Sequence, residues 1–327
     1  KLLLESAEAL QKAIVSHKEA EESFAMSKTL ATLYDSFTRI VEEADPRIPR
    51  VHYNLAETLF TIKDFTGSTE HYRWVVEHGT WSKKHGNYKT TLDASLKAIG
   101  SRYEVLRQKS LIPKDLTAVS FQKNSDQQLD PLLQRWVDWI DTHAKEADDK
   151  KPLENFVFES NRALYAGNHI STAVTRFKTF AKKYPKSTFA VPSASIVIDT
   201  AISTGDWAQT IEQAEDFGEI EDWKKTEFSK RLYVISADAS YKILEREYRE
   251  KHFKDVIKLA DKFLKKYDKS QRIDDCLSLA GNSANEIKDP KRATYFFTRL
   301  ITETPKSDNY GPAVLARGAI AEDSYRF

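Results

Sequence analysis

The sequence holds one cysteine, Cys276, and one methionine in 327 residues. A lone cysteine excludes an internal disulfide and a cysteine-rich zinc site, and it leaves the redox compartment open. Ten glycines and ten prolines are fewer than ordinary usage supplies, which argues against a strand-and-turn protein and for long helices. Charge of one sign is also missing: fifty basic residues against forty-nine acidic ones leave +1. No global field therefore steers the chain toward nucleic acid or an acidic membrane surface. No apolar run reaches the roughly 20 residues that span a bilayer, and Leu2-Leu3-Leu4 is too short for a signal core. Lys1 already stands in a segment of helical pattern, so the sequence reads as a piece of a longer protein.

Signatures of chemistry are equally scarce. Gly79, Gly86 and Gly100 are too sparse for a phosphate loop and lack its lysine and hydroxyl. His17, His52, His71, His78, His85, His143, His169 and His252 show no metal-ligand spacing. Cys276 follows Asp274 and Asp275, which raise rather than lower a thiol pKa, so it reads as a packed thiol. Carboxylate pairs such as Glu42-Glu43 and Asp148-Asp149 read as solvated helix faces. Lys182-Lys183 and Lys265-Lys266 suit the last turn of a helix. The expectation is a protein without catalytic residues, metal or cofactor.

What the chain does have is internal repetition. Tyr184-Pro185-Lys186-Ser187, Tyr267-Asp268-Lys269-Ser270 and Thr304-Pro305-Lys306-Ser307 match one another. Upstream of them stand Ala173, Phe177, Phe180; Val256, Ala260, Phe263; and Ala293, Phe297, Leu300. Each set is spaced four then three, one face of a helix. Thr210, Ala214 and Phe217, after Gly205-Asp206-Trp207, form a further set. Offsets of 37, 46 and 37 residues separate the four sets, so one unit carries extra helical turns. Asp130-Pro131 and Asp289-Pro290 read as helix starts, and Ser187 and Ser307 as caps of the helices that follow.

These features resemble the tetratricopeptide-repeat family, whose repeat is about 34 residues. In that family a small residue on the first helix and small, aromatic and apolar residues on the second precede a proline. Leu277 to Ser307 matches through Gly281, Ala293, Phe297, Leu300 and Pro305; Phe156 to Ser187 matches through Ala173, Phe177, Phe180 and Pro185, with Asn161 in the small position. Leu55-Ala56, Leu59, Asp64-Phe65, Ser68, Tyr72 and Val75 give another copy; in the unit ending at Phe263, Leu244 falls in the small position. The resemblance implies an all-α, right-handed α-solenoid of antiparallel helix pairs. Three regions are expected: 1–82, amino-terminal helices and a first repeat; 83–151, two degenerate pairs with a polar loop at 113–128; and 152–327, an array continuing past the end. A helical stripe from Leu30 through Phe37, Ile40, Val41 and Ala44 is expected to end before Asp45-Pro46.

The family lines its concave surface with first helices, where peptides or partner helices dock. The matching positions here are Tyr53, Glu57 and Phe60; Phe158, Arg162 and Tyr165; Ser195, Asp199 and Ile202; Tyr241, Glu245 and Tyr248; and Ser278, Asn282 and Asn285. Aromatics beside arginine are the residue types that carry binding energy at interfaces. The partners implied are other proteins in a larger assembly, with no nucleic acid and no membrane span. Tyr184-Pro185-Lys186-Ser187 followed by Thr188-Phe189-Ala190 is similar to bacterial envelope repeat proteins, namely barrel-assembly lipoproteins, Tol-Pal coordinators and gliding-motility components. That likeness implies a periplasmic or outer-membrane-associated scaffold; the alternative is a cytosolic adaptor holding a signalling partner.

Overall fold

The computed structural model describes residues 2–16, 19–78, 88–112, 129–146 and 153–325. Among them every long element is an α-helix and no strand occurs. Contacts divide the chain into two compact units, Lys1–Arg176 and Phe177–Phe327. The first holds α1 (Leu2–Ser16), α2 (Ala20–Ile40), α3 (Ile48–Thr61), α4 (Phe65–Glu77), α5 (Tyr88–Gln108), α6 (Pro131–Glu146) and α7 (Glu154–Ala166). The boundary falls within α8 (Ile170–Lys183). The second holds α9 (Ala190–Ser203), α10 (Trp207–Gly218), α11 (Glu227–Arg249), α12 (Phe253–Lys266), α13 (Ile273–Glu286), α14 (Pro290–Glu303) and α15 (Tyr310–Tyr325).

Within each unit, helices consecutive in sequence pack on one another, α1 through α7 and α9 through α15. Where the link is only a few residues, as between α3 and α4 or α13 and α14, the neighbours are antiparallel. Every residue of the four repeated sets on α8, α10, α12 and α14 is buried, so the four-three spacing is core. Burying one Phe or Leu contributes about 1.5–3 kcal/mol, whereas ordering a helix backbone costs about 1–2 kcal/mol per residue. One pair cannot offset that cost on its own stripe and must share both faces with its neighbours. In unit 2 the shared core runs from Ala237 through Phe263, Leu277 and Phe297 to Ala313.

The pairs also share a turn. After the first helix comes one residue in the left-handed region: Lys63 (φ 64), Asn168 (φ 65), Gly205 (φ 70), Lys251 (φ 62) or Lys288 (φ 57). The next N–H reaches back five residues, from Asp64 to the Leu59 carbonyl (2.9 Å), His169 to Leu164 (2.9 Å), Asp206 to Ala201 (3.1 Å), His252 to Glu247 (2.9 Å) and Asp289 to Ala284 (2.9 Å). This is the Schellman termination, which satisfies carbonyls orphaned at the helix end. The following residue then starts the second helix: Asp64, Asp206 and Asp289 each accept an N–H three residues on, at 3.0, 2.9 and 3.0 Å. Only Gly205 adopts its left-handed φ without a Cβ penalty.

Polar keys are set into the apolar stack. The Tyr267 hydroxyl, buried after α12, bonds Ser236 (2.7 Å) and Ser240 (3.1 Å) of α11 and Glu215 of α10 (3.2 Å). In unit 1, Ser68 bonds Ser101 (3.1 Å), and Arg176 holds Asp141 (2.5 and 2.8 Å) and Asn161 (2.7 Å).

The expected extra helical turns are found, and two expectations are modified, the end of α2 and the two serine caps. The 46-residue offset is absorbed by α11, whose 23 residues exceed the 14 of α9 and α13 by nine, the amount by which 46 exceeds 37. Of the two helix pairs expected between 83 and 151, the described residues hold α5 and α6, and the polar run 113–128 lies outside them. α2 stops at Ile40, which is 73% exposed, and Val41 is already extended, ahead of a turn in which the Asp45 carboxylate accepts the Arg47 N–H (2.9 Å). Ser187 and Ser307 are not helix caps: their hydroxyls accept from Phe189 (3.3 Å) and Asn309 (3.0 Å), ahead of the first turn of α9 and α15.

Gly281 is where α13 and α14 approach most tightly, since a Cβ there would lie 2.6 Å from the buried Phe297 ring. Gly281→Ala, normally favourable in a helix, is expected to destabilise by about 1–3 kcal/mol, with recovery in the Gly281→Ala, Phe297→Leu double variant, read by urea denaturation. At the turns the sign reverses. Lys251→Gly and Lys288→Gly are each expected to stabilise by up to about 1 kcal/mol, because the left-handed strain is removed, measured the same way.

Candidate partner-binding site

Tyr53, Glu57 and Phe60 share one face of α3, and the structure surrounds them with residues that sequence reasoning missed. Glu57 and Phe60, with Tyr72 of α4, Leu96, Lys97 and Gly100 of α5 and Phe156 of α7, line a cavity of about 410 Å³ in unit 1. Its walls are aromatic and aliphatic; its polar edge is a compact cluster. Lys97 Nζ donates to Glu57 Oε1 at 2.5 Å and to the Tyr53 hydroxyl at 2.9 Å, and lies 5.1 Å from the Tyr53 ring centroid. The Tyr72 hydroxyl donates to the same carboxylate oxygen, and its ring meets Tyr53 edge-on at 5.6 Å. Burial works against the Lys97 ammonium, but the bonds to Glu57 and Tyr53 outweigh it and hold its pKa above the usual lysine range. The two charges neutralise each other at the mouth. What remains is an apolar hollow, 42% of Phe60 open at its rim, suited to a bulky partner side chain.

The other proposed positions divide into packed and open. Phe158 and Tyr165 are 8% and 5% exposed, and Arg162 donates to the Glu159 carboxylate at 3.0 and 3.1 Å, so α7 turns these three inward. In unit 2, Asp199 faces solvent with its carboxyl raised by partial burial, against the opposing pull of Arg231. Tyr241 lies under the Arg272 guanidinium (5.5 Å), which Asp238 and Asp275 hold at 3.0 and 3.5 Å. Burial, then Asp275 and Glu245, push its phenol up to about 12, so it stays a neutral donor. Glu245 pairs with Lys242 (3.0 Å), and Tyr248 meets Phe253 edge-on at 5.8 Å. Ser195, Ser278 and Asn282 are half-buried; Ile202 and Asn285 are exposed. Val234 of α11, 55% exposed, is an open apolar residue that no sequence pattern singled out.

Histidines scattered in sequence meet in space. His52 Nδ1 and His71 Nδ1 are 2.9 Å apart, joining α3 to α4. The Trp74 indole stacks between the rings of His52 and His78, 4.0 Å from each. Burial foremost, with His71 and His78 adding to it, pushes His52 down to about 3; burial also lowers His71, against Asp35, Asp64 and Glu70. With folded pKa values below the ordinary 6.5, the unfolded chain takes up protons first. The stability from this pair is full above pH 6.5 and drains as pH falls toward 3. Denaturation midpoints at pH 7.5 and 5.0 are expected to show acid destabilisation that His52→Gln reduces and His52→Gln with His71→Gln largely removes.

At the end of α11, Glu247, Glu250 and His252 bring one ligand atom each within 4.8 Å of one another. Glu250 and His252 are exposed and Glu247 is half-buried, and the 2.8 Å bond between His252 Nδ1 and Glu247 raises the imidazole pKa. Burial pushes the Cys276 thiol up to about 12, which keeps it protonated and unreactive.

No family model matches the chain, and no curated protein matches it. Among solved structures, a signal-transduction ATPase with numerous domains and a tetratricopeptide-repeat sensor, from Pyrococcus horikoshii, is similar to it over 97% of this chain, at 12% identity and a TM-score of 0.30. The match takes in 48% of that protein, so this chain spans about half its length. At that degree of superposition the fold rests on the helix pairs themselves.

Proposed function

We propose that the chain is a non-catalytic scaffold that holds other proteins, and that the unit 1 cavity seats a bulky apolar side chain of a partner. The observation that carries this reading is the cavity: three aromatic rings and a leucine around a hollow whose only ion pair is already satisfied. Interface energy concentrates at such sites, where a buried anchor is ringed by groups that exclude water. Gly100 supplies the test, because a Cβ there would meet only Phe156, at an ordinary 3.5 Å. Gly100→Leu is expected to fill the hollow without loss of stability and to cut partner capture about tenfold or more. The readout is yield from a photoreactive p-benzoylphenylalanine placed at Phe60, with exposed Val15 as the control position. Unchanged capture in the filled variant moves the contact away from this cavity.

The setting we propose is a bacterial cell envelope, as part of a periplasmic motility or envelope-assembly complex. Its support is the likeness of Tyr184-Pro185-Lys186-Ser187 and the aromatic stripe before it to envelope repeat proteins. No described helix is long and apolar enough to cross a membrane. Fractionation of the full-length protein tests the setting: recovery in the periplasmic or outer-membrane fraction supports it, and recovery in the cytosol replaces it with the adaptor reading.

A further inference from the structure

A second cavity in unit 1, about 260 Å³, is built from different chemistry. Arg73 and Glu77 of α4, Arg102 of α5, and Arg135, Trp136 and Trp139 of α6 line it. Three arginines and two tryptophans thus share its lining. Trp136 is buried and fixed, its Nε1 donating to the Ile99 carbonyl at 3.0 Å. Trp139 packs against the core around Ala56 and Tyr72, and its indole N–H makes no hydrogen bond among the described residues.

The charges do not balance. Glu70 takes Arg102 (3.2 Å) and Arg73 (3.3 Å) at once, and Glu77 lies 2.9 Å from Arg73 Nε. That Nε–H is nevertheless buried and without an aligned hydrogen bond. Arg135 has no ion-pair partner among the described residues. Three cations against two carboxylates leave the pocket short of one negative charge, with spare planar donors to hold it.

Size and charge restrict the guest. The volume falls below the roughly 300–1,000 Å³ of small-molecule and cofactor pockets and suits one anionic group. A carboxylate carries one charge and matches the guanidinium fork; a phosphoryl group carries about 1.5–2 and would overshoot. The indoles offer flat apolar surface to methylenes behind the headgroup. We infer that this pocket takes a Glu or Asp side chain from an acidic segment of a polypeptide partner. The site is separate from the aromatic cavity and does not depend on it.

The experiment titrates the whole chain, with ¹⁵N-labelled tryptophan, against an acetylated and amidated glutamate-rich hexapeptide, following the Trp139 indole resonance. A saturable shift is expected, absent with the glutamine version of the peptide. Arg135→Gln, a change on an exposed side chain, is expected to weaken it at least fivefold, and Arg135→Lys less. Retention of the Trp136 resonance shows that the variants stay folded. Inorganic phosphate at equal ionic strength is expected to bind more weakly than the acidic peptide. Gly100→Leu is expected to bind the peptide as the parent does, which keeps this outcome apart from that of the first cavity. No saturable shift, an equal shift with the glutamine peptide, indifference to Arg135→Gln, or phosphate binding as tight as the peptide would each overturn the assignment.

Discussion

The structure depends on how closely two helices of one pair can approach. Where α13 meets α14 the separation is set by Gly281 against the Phe297 ring, with no room for a single methyl group. That approach lets one aromatic fill the space between neighbouring pairs, so each stripe serves its own pair and the next. The Schellman turn makes the approach reproducible, because it ends the first helix and starts the second within a few residues. Core, turn and spacing are one constraint seen at three scales.

The fold was legible wherever that constraint leaves a one-dimensional trace. Ala293, Phe297 and Leu300 repeat at helical spacing because one buried face requires it, and Asp289-Pro290 marks a helix start because backbone N–H groups need an acceptor there. The turns were half legible. Lys251-His252 and Lys288-Asp289 occupy the position of Gly205-Asp206, but lysine carries no sign of a left-handed φ. The end of α2 was misplaced because Ile40, Val41 and Ala44 continue a stripe in sequence, although Ile40 and Ala44 are open to water and Val41 reaches the core from extended backbone.

The candidate site was legible only in its first third. Tyr53, Glu57 and Phe60 follow from the repeat resemblance, which places them on the open face of a first helix, but Lys97 lies forty residues past Glu57, on a helix without a clear repeat signature. Phe158 and Tyr165 were placed on an open face by repeat position, and instead pack inward. The histidine pair was invisible for a related reason: His52 and His71 are nineteen residues apart, and only the α3–α4 turn brings their rings together. Pattern reads one helix at a time, and sites here are assembled from three or four.

The polar keys bear on a hazard peculiar to repeated sequence. Helices with near-identical apolar faces can in principle dock into one another's places, and oil-like contacts would hardly object. Tyr267 with Ser236, Ser240 and Glu215, Ser68 with Ser101, and Arg176 with Asp141 and Asn161 are all different from one another. A helix docked in a neighbour's berth would strand its own key away from water, at a cost of about 1–3 kcal/mol for each unmatched group. Each key therefore acts as an address, telling similar helices apart while the chain assembles.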